Sequence, residues 1–185
     1  MTISITTVCK RLLYSLFVII LLLTFALVSL AISARFSDGP SVIFAGGTLE
    51  SGELVTGPEP DWSFARDINL IELQLVVPPR SRTLWVVEYQ GSLYLNSNYM
   101  GGLRQRLWKK WPSEAERDGR AILRIDGKRY ERHLIRIKSG GAVEGVTKEF
   151  TRKYGVTMTP QEVEDGKLWL FELAPPQSNT SGGEV

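Results

Sequence analysis

The chain has 185 residues, with 22 lysines and arginines against 20 aspartates and glutamates, a formal net charge of +2. This near-neutral balance argues against nucleic acid as a partner, since domains that bind nucleic acid are strongly basic. Cys9 is the only cysteine and His133 the only histidine. They exclude an intramolecular disulfide and predict no metal site in the part of the chain that follows Cys9.

Residues 12–34 carry no charged side chain. A helix of that length spans roughly 35 Å, enough to cross a membrane. Lys10 and Arg11 precede it, which predicts a signal anchor with residues 1–11 in the cytoplasm and the following domain on the extracytoplasmic side. The alternative is a cleaved signal peptide, because residues 31–34 (Ala-Ile-Ser-Ala) offer small side chains to a signal peptidase. Both alternatives place the domain outside the cytoplasm, and an inverted topology is the remaining alternative.

Residues 35–60 are rich in Gly, Pro and Ser and predict a linker with irregular packing. Asp61 then begins a short capped turn. Alternating apolar residues predict strands at 69–77, 83–89 and 92–98, the last two joined by a Gln90-Gly91 turn.

Apolar residues with helical spacing at 103–111 predict a helix that Pro112 ends. The remaining predicted elements are a hairpin of 121–125 and 128–137 around Asp126-Gly127, a helix at 143–154 with Gly155 as its C-cap, a turn at 160–165, a strand at 168–173 and a disordered tail at 177–185. Residues 61–176 therefore predict a mainly β (α+β) domain, a small closed barrel of about six antiparallel strands with two short helices.

The run RTLWVVEYQGSLYLNSNYMGGLRQRLWKKW, residues 82–111, and the run AILRIDGKRYERHLIRI, residues 121–137, resemble the split-barrel flavin-binding superfamily. That group includes the pyridoxamine 5'-phosphate oxidases and the deazaflavin-dependent nitroreductase-like proteins. The resemblance covers residues 62–173. It implies a split β-barrel that binds FMN or a deazaflavin as an oxidoreductase, and it implies a homodimer, since the relatives are often dimers with cofactor at the subunit interface.

The resemblance also implies a phosphate-binding site. In flavin-binding relatives the phosphate lies near a basic residue that enters the second strand and near polar groups after the third. By position, the corresponding cofactor-binding residues here are Arg82, Thr83, Ser97, Asn98 and Arg104. Guanidinium and hydroxyl donors suit a phosphate, and Gly101-Gly102 would let the backbone approach it.

Two other hypotheses stay open. The chain lacks the Gly-Arg-Lys-Ser type run of deazaflavin binders and the Arg-Val-x-Leu-Lys type run of the oxidases, which favours a cofactor-free envelope interaction or assembly module. A small-ligand or haem binder would use His133, for which the competing interpretation is a half-buried imidazole without a catalytic role. Residues 104–136 contain 11 basic and 5 acidic side chains; they suit phosphate, anionic lipid or simply solvated faces.

Overall fold

The structure, a computed structural model, describes residues 5–41, 44–98, 100 and 109–176. Arg104, most of the predicted helix at 103–111 and the predicted tail at 177–185 lie outside the described residues.

The N-terminal helix α1 extends over Ile5–Ala34, so it begins seven residues before the predicted start at residue 12. Within Lys10–Ala34, the most apolar 18-residue stretch has a mean hydropathy of 2.9, and none of that stretch is buried against the rest of the molecule. Ser15 and Thr24 donate their hydroxyls to carbonyls one turn earlier, at 2.9 and 2.8 Å, which satisfies both polar groups within the helix. The helix is long and apolar enough to cross a membrane.

Six antiparallel strands follow and close into a barrel. They are β2 (Leu70–Leu75), β3 (Arg80–Tyr89), β4 (Ser92–Ser97), β5 (Arg120–Ile125), β6 (Lys128–Ile137) and β7 (Trp169–Ala174). Their order around the ring is β6-β5-β2-β3-β4-β7, and β7 pairs with β6 to complete it. The predicted fold class, a small split β-barrel behind one apolar helix, is confirmed. This is the fold that the resemblance to the split-barrel superfamily implied.

The two predicted hairpin turns are confirmed. Gln90 and Gly91 join β3 to β4, and Asp126 and Gly127 join β5 to β6, all four with positive φ. Two successive residues with positive φ give the turn whose twist matches that of the flanking strands. Strand β3 begins at Arg80 rather than at residue 83, because Arg80, Ser81 and Arg82 continue the ladder opposite Leu75, Gln74 and Leu73 of β2.

One predicted helix boundary was wrong. Pro112 was expected to end a helix, but it lies in the first turn of α2, Trp111–Arg117. Proline fits a first turn because its missing N–H has no partner there and its fixed φ is already helical. The capped turn at Asp61 is confirmed as a short 3-10 helix, Trp62–Arg66, whose Ser63 amide donates to the Asp61 carboxylate at 2.9 Å.

The two C-terminal helices agree with their predictions. Helix α3 is Gly141–Tyr154 and ends at Gly155, which adopts the left-handed conformation with φ of 66°. Helix α4 is Pro160–Glu164, and the Thr159 and Glu162 side chains cap each other's backbone amides at its start. Helix α3 lies against the outer side of β3.

Two groups of buried side chains hold the domain together. The larger fills the barrel and includes Trp62, Leu73, Leu95, Leu123 and Phe171. The smaller lies between the barrel wall and α3, and includes Val87, Tyr94, Val146, Phe150 and Leu170. Alternate residues of β3 and β4 therefore face the barrel interior or α3, as the two-residue period of a strand requires.

The residues predicted as a linker lie along the outside of the barrel. Within them a two-residue strand β1, Glu53–Leu54, pairs in parallel with the start of β6. Leu49 is buried, and its amide donates to the side-chain oxygen of Gln74 on β2 at 2.6 Å. Glycine and proline content indicated irregular structure here, but the sequence showed no periodic signal for packing on a strand.

Candidate anion-binding site

The predicted cofactor-binding residues do not all lie on the same side of the barrel wall. Arg82 shares the inner face of β3 with Leu84 and Val86, whereas Thr83 is exposed on the outer face. Ser97 shares the inner face of β4 with Leu93 and Leu95 and is buried. Asn98 follows the end of β4. The structure thus brings Arg82 and Ser97 to the interior side, and it turns Thr83 away from them.

The guanidinium of Arg82 is desolvated and lacks a carboxylate partner among the described residues. Its carbon lies 5.5 Å from the ring centroid of Trp111, and its buried Nε has no hydrogen-bond partner. Burial lowers the pKa of Arg82 to about 10, although the charge of Glu114 in α2 opposes that shift. A buried cation that keeps unfilled donors is a favourable place for an anion.

Lys109 brings a second cation beside the end of β4. Its amine donates to the Asn98 carbonyl at 3.2 Å, and burial lowers the pKa of Lys109. Lys109 is two residues before Trp111, over which Arg82 lies, so Asn98, Lys109, Trp111 and Arg82 form one connected corner. We call these four residues, together with Ser97, the Arg82 corner.

Two members of this corner were not predicted as phosphate-site residues. Lys109 was counted only within the basic stretch, and Trp111 was considered as an apolar helix position and as one of five tryptophans that could stack on a flavin ring or fill the barrel core. Pro112 was the available signal, because a proline at the first turn of α2 places Trp111 at a helix start beside the strand ends. Ser97 contributes its position more than a free hydroxyl, since that hydroxyl lies 3.5 Å from the Met100 sulfur.

Most described arginines of residues 104–136, in contrast to Arg82, have carboxylate partners. Arg132, 5 % exposed, donates to both carboxylate oxygens of Glu59 at 2.9 and 2.8 Å. Arg124 pairs with Asp38 and with Glu72. Arg136 pairs with Glu116, and Arg120 with Asp118. Their charges are therefore compensated within the domain.

His133 lies on the outer face of β6, at the wall of a cleft of about 650 Å³. The imidazole is half-buried, as predicted, and it packs directly on Gly119, where a Cβ would approach its Nε2 to 2.8 Å. Arg117, Arg120 and Ile122 also line this cleft.

No protein-family model matches the chain, and no curated protein matches it. Among solved structures, the conserved hypothetical protein Rv2991 from Mycobacterium tuberculosis is similar at 13% identity and a TM-score of 0.44, over 70% of this chain and 87% of that one. A protein named F420 reductase is similar at 11% identity and a TM-score of 0.41, over 65% of this chain and 97% of that one. At these scores neither similarity bears on function, and the barrel is established by its own strand pairings.

Proposed function

We propose that this protein is a membrane-anchored split-barrel oxidoreductase that binds a flavin or deazaflavin through its phosphate at the Arg82 corner. The observation that carries the proposal is the Arg82 guanidinium, which is desolvated and has no carboxylate partner among the described residues. A bound phosphate would supply the missing acceptor and counter-charge, and Lys109 would add a second positive charge.

The chain's own contribution is binding and orientation. Arg82 would fix the phosphate, with its guanidinium held against the Trp111 ring, and Lys109 would hold the Asn98 end of the corner in place. A flavin or deazaflavin, when bound, would supply the hydride chemistry. Arg104, by its position in the resemblance, is proposed as a further phosphate ligand.

The proposed location is a membrane, with α1 inserted and the barrel on the extracytoplasmic side. Support comes from the exposed apolar surface of α1 and from Lys10 and Arg11 before its most apolar part. Side chains such as Leu21, Leu23 and Phe25 find no partner in the described part of the chain, so lipid is their natural surrounding.

The test begins with an absorbance scan of full-length protein purified in mild detergent, across the near-ultraviolet and blue. Titration with FMN and with F420 then gives dissociation constants for the wild type, Arg82→Gln and Arg117→Gln. Arg117 is exposed, so its variant removes the same charge from the surface. We expect Arg82→Gln to weaken binding about tenfold or more, since a hydrogen bond to a charged group contributes roughly 1.5–3 kcal/mol.

Colourless protein with no saturable binding of either compound would refute the cofactor proposal. If both variants bind with the affinity of the wild type, the protein binds the cofactor but its phosphate does not contact Arg82. Loss of binding in the Arg82 variant alone, with an unchanged melting temperature, is the expected result.

The cleft at His133 favours a second candidate function, a small-ligand or haem binder. A volume of about 650 Å³ is in the range of small-molecule sites. Purified protein with a haem spectrum that His133→Ala abolishes would establish this candidate, and an unchanged spectrum in that variant would dismiss His133 as the ligand. If the protein binds neither FMN nor F420 at the Arg82 corner and no haem at the His133 cleft, the cofactor-free assembly module becomes the favoured function.

A further inference from the structure

Within three residues of the end of α1, the chain contacts the segment that lies along the outside of the barrel. Ala34 is buried, and the Ser37 hydroxyl donates to its carbonyl at 2.7 Å. The Gly47 amide donates to the Ser37 carbonyl at 3.1 Å, and Gly46 exchanges two backbone hydrogen bonds with Ser81 of β3, at 2.9 and 3.2 Å. The helix end is therefore tied to a barrel strand by consecutive backbone contacts.

A group of charged side chains fixes the next residue. The Asp38 carboxylate accepts from the amides of Glu50 and Ser51, at 2.8 and 3.1 Å, and from Arg124 Nη1 at 2.7 Å. Arg124 also pairs with Glu72 on the neighbouring strand, and its side chain is only 12 % exposed. We call Asp38, Glu72 and Arg124 the juxtamembrane clamp.

Close backbone packing leaves this segment little freedom. A Cβ on Gly46 would lie 1.8 Å from the Gly39 carbonyl oxygen, and a Cβ on Gly39 would lie 2.3 Å from Arg124 Nη2. Gly39 also has a φ of +94°, which other residues rarely adopt. Two stretches of backbone therefore cross in contact beneath the clamp arginine.

These contacts set how far the barrel lies from the membrane. The segment after α1 stays compact, because three successive amides donate to carbonyls three residues earlier: Arg35 to Ile32, Phe36 to Ser33 and Ser37 to Ala34, at 3.1, 3.0 and 3.3 Å. At a rise of roughly 2 Å per residue, the four steps from Ala34 to Asp38 span about 8 Å. A flexible linker over residues 35–60 would instead give a mean separation of roughly 28 Å. The headgroup layer on each side of a bilayer is roughly 5–8 Å thick, so a clamped barrel meets the headgroups, whereas a barrel on a flexible linker would lie beyond them.

The residues at the exit of α1 suit that surrounding. Phe36 is 86 % exposed, and Arg35 beside it is exposed as well. An aromatic ring and a long cationic side chain are favourable together at the boundary between acyl chains and headgroups.

We propose that the clamp docks the barrel directly on the bilayer, with the Arg80–Thr83 end of β3, where Gly46 pairs with Ser81, against the phospholipid headgroups. The inference rests on the proposed insertion of α1 and is independent of any cofactor. The partner is the headgroup layer itself, which Phe36 enters and whose phosphates Arg35 reaches.

The experiment measures the depth of two labelled positions in full-length protein. In a Cys9→Ser background, a fluorophore is attached at Thr83→Cys or at Lys148→Cys, in phosphatidylcholine vesicles that contain a headgroup-nitroxide lipid. Thr83 is exposed on β3 two residues from Ser81, whereas Lys148 is exposed on α3, which packs on Tyr89 at the other end of that strand. We expect several-fold stronger quenching at residue 83. Equal quenching at both positions overturns the docking.

An insertion variant tests whether the clamp, rather than attachment to α1 alone, holds the barrel at the bilayer. About ten glycine and serine residues inserted between Phe36 and Ser37 leave every clamp contact in place but free the helix from the barrel. We expect the quenching difference to fall toward zero while the melting temperature stays unchanged, and a difference that persists overturns the role of the clamp. Vesicle flotation tests the insertion of α1 separately from the docking of the barrel. Protein that floats but shows equal quenching at both positions refutes the docking alone. Protein that does not float refutes the insertion of α1.

Discussion

Arg82 and Arg132 are two arginines on the same barrel that lie in opposite electrostatic surroundings. Each places its guanidinium by a tryptophan ring, Arg82 at 5.5 Å from Trp111 and Arg132 at 4.8 Å from Trp62. Each has a buried Nε without a hydrogen-bond partner. Arg132 nevertheless donates to both oxygens of Glu59, whereas Arg82 makes no ion pair with a described residue.

The difference separates an arginine that holds the fold from one that suits a ligand. Glu59 lies in the segment that runs outside the barrel, so its bond to Arg132 closes that segment onto β6. Arg82 forms no ion pair within the described part of the chain, where the charge of Glu114 acts on it through space. Substitution of Arg132 should therefore lower the stability of the fold, whereas substitution of Arg82 should weaken ligand binding.

The largest expected effect on stability is that of Arg132→Ala. It removes the ion pair of a buried guanidinium and a cation–π contact, and it leaves the Glu59 carboxylate without a cation, with the Trp62 indole N–H at 2.6 Å as its remaining donor in the described part of the chain. Because Glu59 is partly exposed, we expect a loss of about 3 kcal/mol, at the lower end for a broken buried pair. Thermal unfolding of the full chain in detergent, followed by circular dichroism, measures it. The exposed control Arg117→Ala should change stability by less than about 0.5 kcal/mol, and equal losses would contradict the comparison.

A smaller effect is expected from Asp38→Asn in the juxtamembrane clamp. Hydrogen bonds from Ser51, Glu50 and Arg124 hold the pKa of Asp38 well below its usual value. Since the unfolded carboxyl takes up a proton first, this contribution is present above the ordinary aspartate pKa and is lost as the pH falls below it. We expect the free energy of unfolding of the variant to be lower by about 1.5 kcal/mol at neutral pH. We also expect its stability to fall less steeply than that of the wild type as the pH is lowered.

Melting temperatures of both proteins between neutral pH and acid pH test that expectation. If the melting temperatures of both proteins fall in parallel with pH, other carboxylates dominate the loss of stability in acid. One such group is Asp118, whose pKa Arg120 lowers to about 2.

The sequence was sufficient for the barrel because each strand carries local information. Alternation predicted the strands, and the pairs Gln90-Gly91 and Asp126-Gly127 predicted their turns to the residue. The clamp had no such signal. Asp38, Glu72 and Arg124 are brought together from three distant parts of the chain, and no periodicity or spacing relates them.

The candidate site was predictable only in part for the same reason. A position in the resemblance identified Arg82, and strand alternation alone places it on the face opposite Thr83. Its lack of a carboxylate partner, however, depends on where Glu114 and every other described acid lies in the fold. Lys109 and Trp111 enter the site because α2 begins beside the end of β4, a tertiary relation that residues 109–112 do not encode by themselves.

Arg82→Gln is expected to be nearly neutral for folding. The change removes a desolvated charge, a gain that offsets the lost cation–π contact with Trp111 of about 0.5–1 kcal/mol. We expect stability unchanged or raised by no more than about 1 kcal/mol, together with weaker cofactor binding. A loss as large as that of Arg132→Ala, measured by the same thermal unfolding, would show that Arg82 is a structural residue.

The smallest effect should come from Arg120→Gln, although its ion pair is the shorter one. Arg120 Nη2 lies 2.6 Å from Asp118, compared with 2.8 Å between Arg132 and Glu59, but the Arg120 side chain is largely in water. Solvent screening cancels most of the attraction of such a pair, so we expect a melting temperature within error of the wild type at both low and high salt. A loss comparable to that of Arg132→Ala would mean that the distance between the charged atoms, rather than their burial, decides which arginines hold this fold.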